Sequence, residues 1–280
     1  MGSHTEETFI IPLIDFAPFI TSTPEDRKAT ARAILQGFRT AGFIYLRNLP
    51  IPPHQRAAAF AASASYFSLP QQTKQTHTMP SVESNRGYAA QGLEKLSPFA
   101  ADLKETLHTG REDDPAHPNI WPEDSEVLGF RKEVSSFFET CAAASVQVMR
   151  AIAVGLDIDE AYFDTYMERG DHKLRLLHYP ETRKDVFTLE PRAVRAGEHT
   201  DYGAITLLFQ DGSTAHRVVQ PPMQTEGEVW PARYSIAFFA NSNENSFIEV
   251  IPGTVRSESG KKYEGIMSGE YYLQRLRSTH

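Results

Sequence analysis

The spacing of hydrophobic positions along this chain changes from a helical to an extended period after Gly170. Before that point Val127, Phe130, Val134, Phe137, Phe138, Cys141, Val148, Met149, Ile152 and Leu156 trace one stripe at 3.6-residue spacing. The stripe predicts a long helix over 127–156. Thr23-Pro24-Glu25-Asp26 combines a capping hydroxyl, a proline at the first helical position and acids in the first turn. With Ala29, Ala33, Ile34, Gly37, Phe38 and Ala41 following at helical spacing, it predicts a helix that Gly42 stops. A short strand over 43–47 and a helix over 53–67 come next, the latter carrying Phe60, Ala64 and Phe67 on one face. The stretch 70–122 is polar and punctuated by proline and glycine, so it reads as loops.

Beyond Gly170 the pattern alternates. Leu174, Leu176 and His178 fall on one face of a strand, with Arg175, Leu177 and Tyr179 on the other. Further strands are predicted over 194–198, 204–210, 216–220 and 233–240, and a last helix over 268–277. A helical first half followed by a β-rich half argues for an α+β fold rather than the alternating units of a Rossmann sheet, and the chain has no glycine-rich phosphate loop.

Composition narrows the classes of function. With 28 Lys and Arg against 36 Asp and Glu, the chain carries a net charge of −8 and has no basic block, which argues against nucleic acid as a partner. Hydrophobic residues make up 40% of its 280 residues, enough for a sizeable core. Cys141 is the only cysteine, so an internal disulfide framework and a Cys-based zinc site are excluded. There is no run of about 18 apolar residues, hence no predicted membrane span. Residues 1–10 lack an apolar signal core, and Glu6 sits where a myristoylation signal wants Ser or Thr. The expectation is a cytoplasmic protein acting on a small molecule.

One pair of motifs carries chemistry. His199-Thr200-Asp201 is the only His-x-Asp in the chain, and chance alone supplies ~0.5 such matches at this composition. Taken alone it reads as a surface turn. Arg233-Tyr234-Ser235, the only Arg-x-Ser, opens an apolar strand, and His216 lies between the two motifs. A guanidinium beside a hydroxyl suits bidentate capture of a carboxylate. Two histidines and a carboxylate with open positions opposite form the facial triad of non-haem Fe(II) oxygenases. The order His-x-Asp, His, Arg-x-Ser resembles the 2-oxoglutarate- and Fe(II)-dependent dioxygenases of the isopenicillin N synthase-like superfamily.

The resemblance covers nearly the whole chain. Ile11-Pro12-Leu13-Ile14-Asp15-Phe16, Ala41-Gly42-Phe43-Ile44-Tyr45-Leu46, Arg86-Gly87-Tyr88, Lys104-Glu105 and Asn119-Ile120-Trp121-Pro122 are similar to the family's N-terminal region. Leu174 to Pro180 and Tyr234 to Phe239 resemble the strands on either side of its iron motif, and Tyr271-Tyr272-Leu273 with Arg275-Leu276 its closing helix. The resemblance implies a helical N-terminal region packed on a double-stranded β-helix, or jelly-roll, core. It divides the chain into an N-terminal region (1–122), a long helix and connection (123–168) and the jelly-roll domain (169–280). It implies Fe(II) held by His199, Asp201 and His216, with 2-oxoglutarate chelating the metal and its distal carboxylate held by Arg233 and Ser235. Tyr179 would hydrogen-bond the cosubstrate or pack in the core. With O2, such an enzyme oxidises its substrate, by hydroxylation or desaturation, and releases succinate and CO2.

Other residues have plainer expectations. His108 and His117 fall in the polar loop stretch, at the surface or in a substrate pocket. Cys141 should be packed in the core, and His178 should be an inward, hydrogen-bonded ring. Lys104 and Glu105 match the family pattern without a derivable role.

One spacing departs from the family. His216 comes seventeen positions after His199, whereas four intervening jelly-roll strands need ~40 residues. A two-residue Asp211-Gly212 hairpin would set His216 opposite Leu207, ~20 Å along the strand from Asp201. Ligands of one ion cannot lie that far apart. Either a larger loop slips the register by six or more residues, or the triad stays open and the chain is a truncated, non-catalytic binding protein.

Overall fold

The structure is a computed structural model that describes residues 10–93, 102–183, 185–186, 199–211, 229–251, 253–254 and 262–277. The helices are α1 (Ala17–Thr21), α2 (Pro24–Ala41), α3 (Pro53–Phe67), α4 (Gln71–Thr76), α5 (Phe130–Gly155), α6 (Asp164–Met167) and α7 (Ser268–Arg277). The strands are β1 (Leu13–Asp15), β2 (Tyr45–Arg47), β3 (Gly87–Ala89), β4 (Glu105–Gly110), β5 (Lys173–Tyr179), β6 (Thr182–Arg183), β7 (Ile205–Gln210), β8 (Val229–Trp230), β9 (Arg233–Ala240), β10 (Phe247–Ile248) and β11 (Ile266–Met267).

Local chemistry sets several of these boundaries. The Thr23 hydroxyl accepts from the Asp26 N–H at 3.3 Å, and Gly42 ends α2 in the left-handed conformation, its N–H on the Phe38 carbonyl. Gly129, also left-handed at φ 72°, delays α5 until Phe130, three residues after its stripe begins. Val127 is nevertheless buried, in the turn before the helix. The strand expected from Phe43 begins only at Tyr45, where β2 pairs in parallel with β1, and Phe43 itself is exposed.

The principal sheet is antiparallel, in the order β3-β4-β5-β9-β7. Its first two strands come from the polar stretch read as loops, which also contains α4. The burial of β4 explains the difference: all six residues are buried, yet Glu105, His108 and Thr109 find partners far away in sequence. The Glu105 carboxylate accepts from Lys74, Tyr88 and His178 at 2.6–2.8 Å. A local pattern carries no trace of such satisfaction. The regions 1–122 and 169–280 therefore share one sheet. The strands expected at 194–198 and 216–220 lie outside the described residues.

Strand alternation gives the sheet two unlike faces. Leu107, Leu174, Leu176, Leu207, Ile236 and Phe238 point to one side and pack with Tyr66, Phe130, Phe137, Phe138 and Cys141 of α3 and α5. A second cluster joins Ile14, Phe16, Phe19, Ala31 and Ile34 to Val148 and Ala151. There α2 crosses α5 so closely that a Cβ at Gly155 would come within 2.8 Å of the Ala31 carbonyl oxygen. By length and composition α5 would also suit a membrane span, but half of its most apolar window is buried in this core. His178, as expected, turns inward onto Glu105 and stacks on Tyr234, with ring centroids 4.7 Å apart.

Candidate active site

The opposite face of the sheet carries the chemistry. In register along it lie His108 on β4, Lys173, Arg175 and Tyr179 on β5, Arg233, Ser235 and Phe239 on β9, and Thr206 on β7. A pocket at the Phe239 end is walled by Asn85, His108, Lys173, Arg175, Phe239 and Asn241, floored by residues 199–203 and covered by Tyr272 and Leu276 of α7.

His199 and Asp201 stand in the turn before β7, their Nε2 and Oδ1 atoms 3.6 Å apart and both side chains partly open to solvent. Two adjacent ligands of one ion, with bonds of ~2.1 Å, sit ~3 Å apart, so this pair fits a shared metal. The Thr206 hydroxyl donates to Asp201 Oδ2 at 2.5 Å and leaves Oδ1 turned toward His199. Such an outer contact fixes the orientation of a ligating carboxylate. Gly203 lets the turn lie against the end of β9, since a Cβ there would meet the Ala240 carbonyl oxygen at 2.9 Å. His216 lies outside the described residues, and among those described no group of three possible metal donors occurs.

Arg233 and Ser235 occupy the far end of the same face. Ser235 Oγ and Arg233 Nε are buried and have no hydrogen-bond partner among the described residues. Two orphaned polar atoms on one strand face are costly unless something satisfies them. The pair of donors suits the distal carboxylate expected there from the Arg-x-Ser motif. Tyr179 lies beneath, its ring centroid 4.6 Å from the Arg233 guanidinium carbon.

Burial shapes the electrostatics around the pocket. It lowers the Lys173 ammonium to about 7, with neighbouring Arg86 adding to the effect, and raises the Tyr272 phenol above its ordinary value. His172, behind the pocket, is lowered to about 4, again chiefly by burial.

His108 lines the pocket, one of the two places expected for it, but as a buried strand residue rather than a loop histidine. Arg175 and Tyr272 lie in stretches that resemble the family's strand and closing helix, but those stretches do not mark them as pocket residues, and Lys173 carries no motif; the three meet only through sheet register and the return of α7. Asn85 gives one signal, as an Asn just before Arg86-Gly87, where it adopts a left-handed φ of 43°. Lys104 pairs with buried Asp102, and Glu105 anchors the back of the sheet.

The family model for "non-haem dioxygenase in morphine synthesis N-terminal" matches residues 11–124. The structure superposes on a full-length Neurospora crassa protein crystallised in complex with alpha-KG, with a TM-score of 0.90 and 44% identity over 98% of each chain. The chain belongs to the 2-oxoglutarate- and Fe(II)-dependent dioxygenases. The Neurospora crassa protein has also been crystallised with alpha-KG and thymine, and with alpha-KG and 5-formyluracil. The 2-oxoglutarate-Fe(II) type oxidoreductase ppzD of Metarhizium rileyi is 28% identical over 95% of this chain and 90% of its own. The proline hydroxylase buaE of Petromyces alliaceus is 28% identical over 95% and 98%. These two alignments run over 324 and 318 positions against a chain of 280, so these dioxygenases carry residues with no counterpart here. As a dioxygenase, the protein is an oxidoreductase of α+β fold with a jelly-roll core, and its family uses Fe(II), 2-oxoglutarate and O2.

Proposed function

We propose that this dioxygenase oxidises a small pyrimidine of the thymine type, with His199, Asp201 and His216 as iron ligands and Arg233, Ser235 and Tyr179 as the 2-oxoglutarate site. The observation that carries the cosubstrate site is the pair of buried, unpartnered atoms on Arg233 and Ser235. The substrate class rests on the 44% identity to the Neurospora crassa protein, whose complexes hold thymine and 5-formyluracil. The pocket supports it, because Phe239, Tyr202 and Tyr272 offer flat apolar surface while Asn85, Lys173 and Arg175 offer polar edges.

In this reading His199 and Asp201 would hold the metal, and Thr206 keeps the Asp201 carboxylate oriented toward His199. Arg233 and Ser235 grip the distal carboxylate and fix the direction in which the cosubstrate reaches back toward the metal. Bound Fe(II), with O2, supplies the oxidising power as 2-oxoglutarate is converted to succinate and CO2. Leu276 and Tyr272 close the pocket against water.

The test is thymine-stimulated formation of succinate with Fe(II) and ascorbate. Succinate should rise with added thymine and vanish in His199→Ala. Stimulation by proline and not by thymine would overturn the substrate class. A second reading concerns rate: the seventeen-residue separation and the longer relatives favour slow turnover, because His216 has too little chain to reach the metal in the family's usual strand order.

A further inference from the structure

A buried hydrogen-bond chain crosses the pocket wall without taking part in metal or 2-oxoglutarate binding. Thr106 Oγ1 lies 2.8 Å from His108 Nε2, His108 Nδ1 lies 2.5 Å from Asn85 Oδ1, and Asn85 Nδ2 donates to the Tyr272 hydroxyl. Thr106, His108 and Asn85 are all buried. Asn85 holds this place at a left-handed φ of 43°, a strained conformation that persists only where its surroundings enforce it.

The links are not independent. With its amide nitrogen on Tyr272, Asn85 turns its carbonyl oxygen to His108, so His108 Nδ1 must carry the imidazole proton. In the neutral ring the other nitrogen is then an acceptor, and the Thr106 hydroxyl donates to it. At the far end, the Tyr272 oxygen accepts from Asn85 and keeps its own proton to give. Burial, which raises the Tyr272 pKa, keeps that proton in place.

We propose that the Thr106–His108–Asn85–Tyr272 chain sets the hydrogen-bonding sense of this wall, so that it presents donors and selects a substrate edge bearing carbonyl oxygens. His108 and Thr106 are positioning residues, acting through the amide they orient. This deepens the pyrimidine reading and rests on it for the substrate, while the sense of the chain stands on geometry alone. A flipped amide would reverse every link, leaving the Tyr272 oxygen as an acceptor that favours an exocyclic amine.

Two measurements separate these claims. Long-range 1H–15N spectra of the full chain, with His108→Gln to assign the signal, should show His108 protonated at Nδ1 and bare at Nε2. The opposite tautomer would overturn the proposal. Calorimetry with Mn(II) and 2-oxoglutarate present then compares thymine with 5-methylcytosine, in which one carbonyl is an amine. Thymine should bind at least about tenfold more tightly. Thr106→Val, which removes one hydroxyl outside the pocket, should narrow that ratio and mix the tautomers. Equal binding of the two bases by the unaltered chain would overturn the donor wall. If neither base binds, the pyrimidine reading fails, and the tautomer still decides the chain's sense.

Discussion

Arg233 lies over the ring of Tyr179, its guanidinium carbon 4.6 Å from the ring centroid, where β5 and β9 end side by side. The contact holds a long, flexible cation at one place on the sheet face, with Ser235 two residues along the same strand. An aromatic platform of this kind is worth about 0.5–2 kcal/mol and reduces the entropy lost on gripping a carboxylate.

Arg233→Ala should therefore weaken 2-oxoglutarate binding by about 2–5 kcal/mol, since a charge-assisted bidentate contact is lost and the carboxylate is left unpaired. Ser235→Ala should cost less, about 1 kcal/mol for one neutral hydrogen bond. Calorimetry with Mn(II) in place of Fe(II) measures both. Unchanged affinity in Arg233→Ala would remove the residue from the cosubstrate site.

Glu105 joins three elements behind the sheet through Lys74, Tyr88 and His178. Burial works to raise its pKa, but the hydrogen bonds from His178, Lys74 and Tyr88 outweigh it and hold the carboxyl below its ordinary range. Glu105→Ala strands the Lys74 ammonium in a buried site and should destabilise the fold by about 3–5 kcal/mol, read by urea unfolding. Glu105→Gln, which keeps hydrogen-bonding atoms there, should cost distinctly less.

What the sequence disclosed follows the range of the forces involved. The ends of α2 were legible because Thr23 and Gly42 act within a turn of themselves, and α3 because Phe60, Ala64 and Phe67 recur at helical spacing. β9 was legible because β-branched and aromatic residues crowd its eight positions. β4 was not, since Glu105, His108 and Thr109 on it are satisfied by groups brought in by the fold, such as Lys74, His178 and Asn85. The same holds for the site. His199, Asp201, Arg233 and Ser235 stand out as short motifs, whereas Asn85, His108 and Lys173 converge only once β4 and β5 pair in register.

His172 couples stability to acid. Its Nδ1 accepts the Asn241 N–H at 3.1 Å, and burial lowers its pKa to about 4 from 6.5. Between those values the unfolded chain binds a proton that the folded chain does not, so stability falls as pH drops from 6.5 to 4. The full loss amounts to about 3 kcal/mol. His172→Asn, which keeps an acceptor but cannot titrate, should flatten this part of the stability–pH curve. Equal slopes in the two proteins would remove His172 as a cause.

Cys141 is fully buried on the core stripe of α5, and burial raises its thiol pKa well above the ordinary value. Neither access nor thiolate is available in the native state. Reaction with a disulfide reagent should track unfolding, slow in buffer and immediate in urea. A fast native-state reaction would place the thiol at the surface.

Only five residues lie between the end of β7 and His216. This strand gives one edge to β9, with Gln210 opposite Ser235, and His216, the third ligand in the proposed site, comes only six residues on from Gln210. In the family's strand order that ligand arrives after several further strands, which also wall the pocket, and four strands with their turns need about 40 residues. The relatives carry residues without a counterpart here. Inserting about 40 residues of a related jelly roll between Gln210 and Ser213 should raise uncoupled conversion of 2-oxoglutarate to succinate at least about tenfold and bring iron to one equivalent. The affinity for 2-oxoglutarate should change far less if Arg233 binds it as proposed, because β5 and β9 already hold that end of the sheet face. If the unaltered chain binds one iron and turns over as fast as the restored one, the short connection closes the triad by a register slip, and His216 reaches the metal by a route the longer enzymes do not use.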